Sequence, residues 1–263
     1  EDRIEKSYNV YTLKQLNEEY PNLEFNKLLK EYKVNKAKKI IVENPKNLKS
    51  VNNLVKEESL DNMKIYFRTS ILLRTDNSLT EDFRKASSDL KRTLYGVGVV
   101  DLNENNAVRF TMCQLEDVVS RLYIDKKFDY ECKKDVEHMT KEIIQNFEKR
   151  LEKNTWMSDT TKKEAIKKLK NMHVKIGYPD EWDDYSELKL KSYSNNGNLV
   201  DNLISIYNFE LNKEFSKINK NVDKEEWNMG ACVVNAYYNP VNNEIVFPAG
   251  ILQAPFYEDR KST

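Results

Sequence analysis

The chain has 263 residues, which is enough for one large domain or two small ones with a substantial core. Lysine plus arginine and aspartate plus glutamate number 43 each, so no net field attracts nucleic acid, an acidic membrane or a polyanionic substrate. The charged residues, 33% of the chain, are scattered in both signs, which is typical of solvated helix faces and argues against a nucleic-acid partner.

No apolar run approaches the length needed to span a bilayer, so no membrane segment is expected in this chain. The sequence starts at Glu1 with neither an initiator methionine nor an apolar targeting stretch, which leaves open a signal or anchor upstream. Cys113, Cys132 and Cys232 are too few and too dispersed for a disulfide framework or a cysteine metal knuckle. This cysteine usage favours a reducing compartment, such as a bacterial cytoplasm, and an extracellular location stays open. The oligomeric state is not indicated.

A long central stretch has the composition of helices. Proline is absent between Pro45 and Pro179, and glycine there is confined to Gly96, Gly98 and Gly177. Because proline breaks helix interiors and glycine weakens them, this gap predicts a mainly helical body.

The first predicted helices cover about 12–31, 47–72, 79–95 and 110–124. Gly96 and Gly98 predict a bend or loop. A lone G-x-G without a flanking strand and helix is too weak to indicate a phosphate-binding loop.

The clearest periodicity follows, where apolar residues recur at three- and four-residue steps: Val136, Met139, Ile143, Phe147 and Leu151. This spacing predicts an amphipathic helix of about six turns.

A further helix is predicted from an N-cap at Ser158 to about Met172, because Ala165, Leu169 and Met172 share one face. A stop signal follows at residues 177–179, where glycine and proline occur together.

The residue composition changes from residue 180 onward. Polar loop signals extend to about residue 198, and a helix is predicted over roughly 199–218. Beyond Gly230, the β-forming runs 231–234 and 245–247 flank a turn at 239–243, which is a hairpin signature. The sequence therefore predicts a mainly α fold with a small β-hairpin or sheet near the C-terminus.

Two histidines limit the catalytic chemistry. A catalytic zinc ion takes three protein ligands, and an H-E-x-x-H helix would supply two histidines and a general base. No such motif occurs, and the spacing of His138 and Glu142 predicts a solvated pair one helical turn apart; the second histidine, His173, follows Met172. We therefore assign no catalytic residue and no metal ligand to this chain.

The hairpin region carries a candidate binding element instead. An asparagine side chain offers an acceptor and two donors, so Asn235 could hold a peptide unit beside an exposed strand that adds an extended peptide. The alternative from the residues alone is that Asn235 caps a turn while Tyr237 and Tyr238 pack the hairpin.

The same region resembles the substrate-binding segment of the neprilysin family of zinc metallopeptidases. The matching residues are Asn-Ala-Tyr-Tyr at 235–238 and Ile-Val-Phe-Pro-Ala-Gly-Ile-Leu-Gln-Ala-Pro-Phe at 245–256, with Ala254 where many relatives have proline. The family resemblance extends to Trp156-Met157, to the sequence Ile-Gly-Tyr-Pro at 176–179 and to the stretch 222–227. The resemblance covers most of the chain and is specific from about Trp156 onward.

The resemblance implies roles for four residues. Asn235 and Ala236 would hydrogen-bond the substrate backbone, and Ile251 and Phe256 would line the apolar S1' pocket, which accepts the side chain just after the cleaved bond. Ordinary core packing is the alternative for the two apolar residues.

The resemblance also implies a domain division and a cofactor. Residues 1–178 would belong to a helical cap lobe, and residues 179–263 would begin a thermolysin-like catalytic lobe. The intact enzyme would use zinc to hydrolyse oligopeptides, while this chain ends before the zinc motif and would be an inactive internal fragment. The alternative hypothesis is a non-enzymatic helical module that binds extended peptides or a protein partner.

Overall fold

The computed structural model describes residues 6–34, 37–96 and 104–258. The chain divides into two compact units, Glu1–Asp101 with Ser186–Val222, and Leu102–Tyr185 with Asp223–Thr263. Compactness alone does not test the assignment of residues 1–178 and 179–263 to two lobes, which stays a prediction.

The first unit is built mainly from helices. Its helices are α1 Leu13–Glu19, α2 Phe25–Glu31, α3 Pro45–Glu57, α4 Leu60–Thr75, α5 Glu81–Tyr95 and α10 Leu199–Ser216. Its strands β1 Asn9–Tyr11 and β2 Ile40–Val42 pair antiparallel. Short 3₁₀ turns occupy Pro21–Leu23, Asp76–Ser78 and Tyr193–Asn195.

Two helices predicted as continuous are interrupted in this unit. The predicted helix 12–31 breaks after α1, where Pro21 begins a 3₁₀ turn. The predicted helix 47–72 breaks between α3 and α4, because the side chain of Ser59 accepts a hydrogen bond from the Asn62 amide and starts a new helix. Both interruptions come from local capping chemistry that apolar periodicity does not register.

Tyr20 and Leu16 in the first unit are fully excluded from solvent. Burial is the main cause that raises the pKa of the Tyr20 phenol, and a hydrogen bond with Tyr11 adds to it. Asn22 donates two hydrogen bonds to the buried Asn52, from its backbone N–H to Oδ1 at 3.0 Å and from Nδ2 to the carbonyl at 3.1 Å, and these fix the turn after α1 onto α3.

The second unit combines helices with the larger sheet. Its helices are α6 Glu104–Gln114, α7 Glu116–Lys127, α8 Tyr130–Glu152 and α9 Asp159–Lys170. Its strands are β3 His173–Gly177, β4 Tyr237–Asn239 and β5 Glu244–Pro248, followed by a 3₁₀ turn at Ala249–Ile251. The predicted amphipathic helix is α8, and Ser158 caps α9 as expected.

The sheet has the strand order β3-β5-β4, with β5 in the centre. β3 pairs parallel with β5 and places Lys175 opposite Val246, whereas β4 pairs antiparallel and places Tyr237 opposite Val246. One face packs on α8 through a cluster of Val136, Ile176 and Leu252.

The structure confirms the mainly α class with a small sheet near the C-terminus, and about 60% of it is helical. Two details of the predicted strands were wrong. Residues 231–234 form a turn followed by irregular chain, and the first strand of the hairpin is β4 instead. β3 follows α9 almost directly and lies where the sequence predicted only the end of a helix.

Gly96 ends α5 in a left-handed conformation, as the predicted bend requires, and Gly98 lies outside the described residues. Within the described ranges, no helix is long and apolar enough to cross a membrane.

Candidate peptide-binding site

β4 is an edge strand. Its inner side pairs with β5, and among the residues that the structure describes no further strand pairs with its outer side. An edge strand presents a row of unpaired backbone N–H and C=O groups, which is the requirement for adding an extended peptide. The second unit therefore has an open strand edge at β4 within the described residues.

Asn235 and Ala236 lie directly before this edge strand. Asn235 is exposed, and its backbone N–H donates to the Val233 carbonyl at 3.0 Å. Its side-chain Oδ1 accepts a hydrogen bond of 2.8 Å from the Ala236 N–H. The side chain thus makes a local turn contact through Oδ1, and its role in peptide binding stays a prediction.

Ile251 and Phe256 lie in different environments. Ile251 is half-buried and packs against the cluster of Val136, Ile176 and Leu252. Phe256 has 68% of its surface exposed. The structure therefore places Ile251 at the margin of the core and Phe256 at the surface, and the pocket that both were predicted to line stays a prediction.

A buried ion pair supports the sheet on the face opposite the cluster. Lys175 Nζ lies 2.8 Å from Glu244 Oε2, with side-chain exposures of 3% and 0%. The same ammonium donates to the Glu226 carbonyl at 2.7 Å, and Asn239 Nδ2 donates to Glu244 Oε1 at 3.3 Å. The pair therefore joins β3, β5 and the end of β4, and neither residue was predicted to matter.

The segment before Asn235 is held from two sides. On one side, the Gly230 N–H donates to Glu116 Oε1 and the Cys232 N–H donates to Ser120 Oγ. On the other side, the Gly250 N–H donates to the Ala231 carbonyl at 2.8 Å. These contacts connect α7 to both sequence stretches that carry the predicted binding residues.

The two histidines lie in carboxylate pairs. His138 lies 4.0 Å from Glu142 on the exposed side of α8, as predicted, and His173 Nε2 lies 3.3 Å from Glu225 Oε2. Across the described ranges, no group of three or more histidine, cysteine, aspartate or glutamate side chains could hold a metal ion. These residues do not fit a zinc site, so no catalytic step through zinc is derived from them. Cys113, Cys132 and Cys232 all lie within the described ranges, and none of them forms a disulfide bond there.

Comparison with known proteins identifies the family. The sequence models of peptidase family M13 match residues 1–179 and 235–263. The chain is 33% identical over 243 residues to a neutral endopeptidase of Lactococcus lactis subsp. lactis, covering 92% of this chain and 38% of that protein. It is 30% identical over 231 residues to human neprilysin, covering 85% of this chain and 30% of neprilysin.

Solved structures agree with this result. The chain superposes on PepO of Lactobacillus rhamnosis HN001 with a TM-score of 0.85 at 27% identity, covering 98% of this chain and 41% of that one. The zinc metalloprotease Zmp1 of Mycobacterium tuberculosis, solved with an inhibitor, gives a TM-score of 0.84 at 26% identity, covering 98% and 39%.

The chain therefore belongs to peptidase family M13, and the predicted resemblance to neprilysin-like metallopeptidases is confirmed. It spans less than half the length of the two curated relatives, 38% and 30%.

Proposed function

We propose that the protein containing this chain is a zinc-dependent metalloendopeptidase that hydrolyses oligopeptides, and that this chain supplies a substrate-binding edge. Membership of family M13 supports the reaction class. The observation that carries the role of the chain is the edge strand β4, preceded directly by Asn235 and Ala236.

The proposed contribution of this chain is to bind and orient the peptide. A peptide lying along the outer side of β4 would exchange backbone hydrogen bonds with the strand. Asn235, through its side-chain amide, and Ala236 would hydrogen-bond the substrate backbone. Ile251 and Phe256 would form part of the apolar S1' pocket after the cleaved bond.

The zinc ion is part of the proposal for the intact enzyme. A bound zinc would polarise a water molecule for attack on the peptide carbonyl. We propose that its ligands lie outside the described residues, on the same polypeptide or on a companion chain. This chain would then contribute no catalytic group.

The first prediction concerns metal content. We expect the purified 31.1 kDa chain alone to bind no stoichiometric zinc and to cleave no peptide, because its described residues offer no three-ligand site. The longer gene product should contain zinc and cleave oligopeptides, and a chelator should abolish that cleavage. Intact-mass measurement, a zinc assay and peptide digestion would test this.

Two outcomes would contradict the proposal. Stoichiometric zinc in the 31.1 kDa species would overturn the assignment of the ligands to other residues. A reading frame that stops at Thr263, or continues without an H-E-x-x-H motif, would favour a non-enzymatic module that binds extended peptides.

The second prediction separates Ile251 from Phe256. Ile251→Ala should lower the free energy of unfolding by about 1–2 kcal/mol, since the half-buried side chain packs on the core. Phe256→Ala should leave it within about 0.5 kcal/mol, because the side chain is largely exposed. Urea unfolding would measure these two changes in stability. In the longer gene product, both variants should change the preferred residue after the cleaved bond, as read by mass spectrometry of the products. An unchanged preference in Phe256→Ala would remove this residue from the pocket.

A further inference from the structure

The lead-in segment, residues 230–233, is fixed to one face of α7. The Gly230 N–H donates to Glu116 Oε1, and the Cys232 N–H donates to Ser120 Oγ at 3.1 Å. Glu116 and Ser120 are four residues apart and therefore share a face of the helix. Ser120 is fully buried, so its hydroxyl serves the segment and not solvent.

The packing around this segment is tight. A Cβ added to Gly230 would lie 2.4 Å from Glu116 Cγ and 2.8 Å from Ser120 Oγ. A Cβ added to Gly250 would lie 2.5 Å from the carbonyl oxygen of Cys232. Because neither gap admits a methyl group, the lead-in segment is held between α7 and the 3₁₀ turn Ala249–Ile251.

A third contact from α7 reaches the chain just after the 3₁₀ turn Ala249–Ile251. The Tyr123 hydroxyl donates to Gln253 Oε1 at 3.4 Å. Burial is the main cause that raises the pKa of the Tyr123 phenol, and the nearby Cys232 and Cys132 add to it. The phenol therefore stays protonated and remains a donor. Through these three contacts α7 is bonded to the chain before β4 and to the chain after β5.

The candidate binding residues are attached to the lead-in segment. Asn235 follows the lead-in segment by two residues and donates its N–H to the Val233 carbonyl at 3.0 Å. Ile251 follows Gly250, whose N–H donates to Ala231. Both candidate binding elements therefore take their position from a segment that α7 fixes.

We infer that Glu116 and Ser120 are positioning residues for the peptide-binding edge. They place Asn235, Ala236 and Ile251 through the lead-in segment without touching the peptide. This inference rests on the proposed function. A displaced lead-in segment changes where the peptide lies along β4, and hence which bond is presented for cleavage.

The test uses the full gene product that contains this chain. Glu116→Ala and Ser120→Ala should each lower kcat/KM for an extended peptide by about 10-fold per folded, zinc-loaded molecule. They should also change the ratio of cleavage at neighbouring bonds of the same peptide, read by mass spectrometry. A loss of stability lowers the amount of folded enzyme but leaves this ratio unchanged.

Two variants serve as matched controls. Glu116→Gln keeps an oxygen acceptor for the Gly230 N–H and should stay within about 2-fold of the wild type. Asp125→Ala removes an exposed carboxylate from the same helix and should have no effect on the ratio. If both alanine variants retain the wild-type kcat/KM and cleavage ratio, the positioning role is wrong.

A second measurement does not depend on activity. Hydrogen exchange in the same gene product should speed up by about 10-fold at the amides of residues 230–236 in both alanine variants, with α9 unchanged. Unchanged exchange at these amides overturns the inference. A wild-type gene product that cleaves no peptide would instead overturn the proposed function, while the exchange result still decides whether α7 fixes the segment.

Discussion

Lys175→Met should lower the free energy of unfolding by about 3–5 kcal/mol, because it leaves the carboxylate of Glu244 buried without its cation. That carboxylate has no exposed side-chain surface and lies 2.8 Å from Lys175 Nζ. The Asn239 amide, at 3.3 Å, is neutral and does not replace the lost charge. Urea unfolding of the wild type and the variant would measure the change.

Two further variants make this test specific. Lys134→Met removes an exposed partner of Glu131 at a similar distance, 3.0 Å, and should change the free energy of unfolding much less, because solvent screens the pair. The double variant Lys175→Met with Glu244→Leu should lose much less than the two single changes added together, since no charge stays buried. Equal losses in Lys175→Met and Lys134→Met would show that the buried pair does not support the sheet.

Asn235→Ala in the longer gene product should reduce kcat/KM for peptides, with zinc content unchanged. The reduction should correspond to a loss of about 1–3 kcal/mol of transition-state stabilisation. The physical reason is the loss of the side-chain amide that would contact the substrate backbone. In the structure this residue is exposed, and its backbone N–H and side-chain Oδ1 make local hydrogen bonds to Val233 and Ala236. Steady-state kinetics with a zinc assay would measure the effect.

The chain offers matched controls for this change as well. Asn242→Ala removes the same side chain from the turn at the other end of β4 and should leave kcat/KM near the wild-type value. Asn235→Asp keeps Oδ1 but replaces the donating nitrogen, so it tests whether donation to the peptide matters. Wild-type kcat/KM in Asn235→Ala would show that the residue only shapes the turn.

The helical body could be predicted because its signal is local. The scarcity of proline and glycine and the spacing from Val136 to Leu151 are readable along the chain, and α8 lies where they indicate. The divisions at Pro21 and Ser59 were missed, although both residues are known helix starters, since apolar periodicity was given more weight than capping.

The sheet was harder to predict because its pairing is not local. β3 is a five-residue run after a helix, and its neighbour β5 lies far along the sequence. Lys175 in the middle of β3 suggests a solvent-facing position until Glu244 is placed beside it, 69 residues away. No single window of sequence contains both partners.

The candidate site shows the same limit. The family resemblance pointed to Asn235, Ala236, Ile251 and Phe256 because the motif is contiguous, and their roles in binding stay predictions. Glu116 and Ser120 could not be found in this way, since they lie 114 and 112 residues from the glycine and cysteine that they contact. Only folding brings these residues together.

The parallel pairing of β3 with β5 also affects how the second unit can assemble. β3 leaves the ribosome well before β5, the strand with which it pairs in the described part of the chain, and the intervening stretch 186–222 belongs to the other unit. Closing so long a loop costs entropy before any sheet contact forms, which makes this step slow. A recombinant version that ends before Glu244 would expose β3 on both sides and should aggregate during expression.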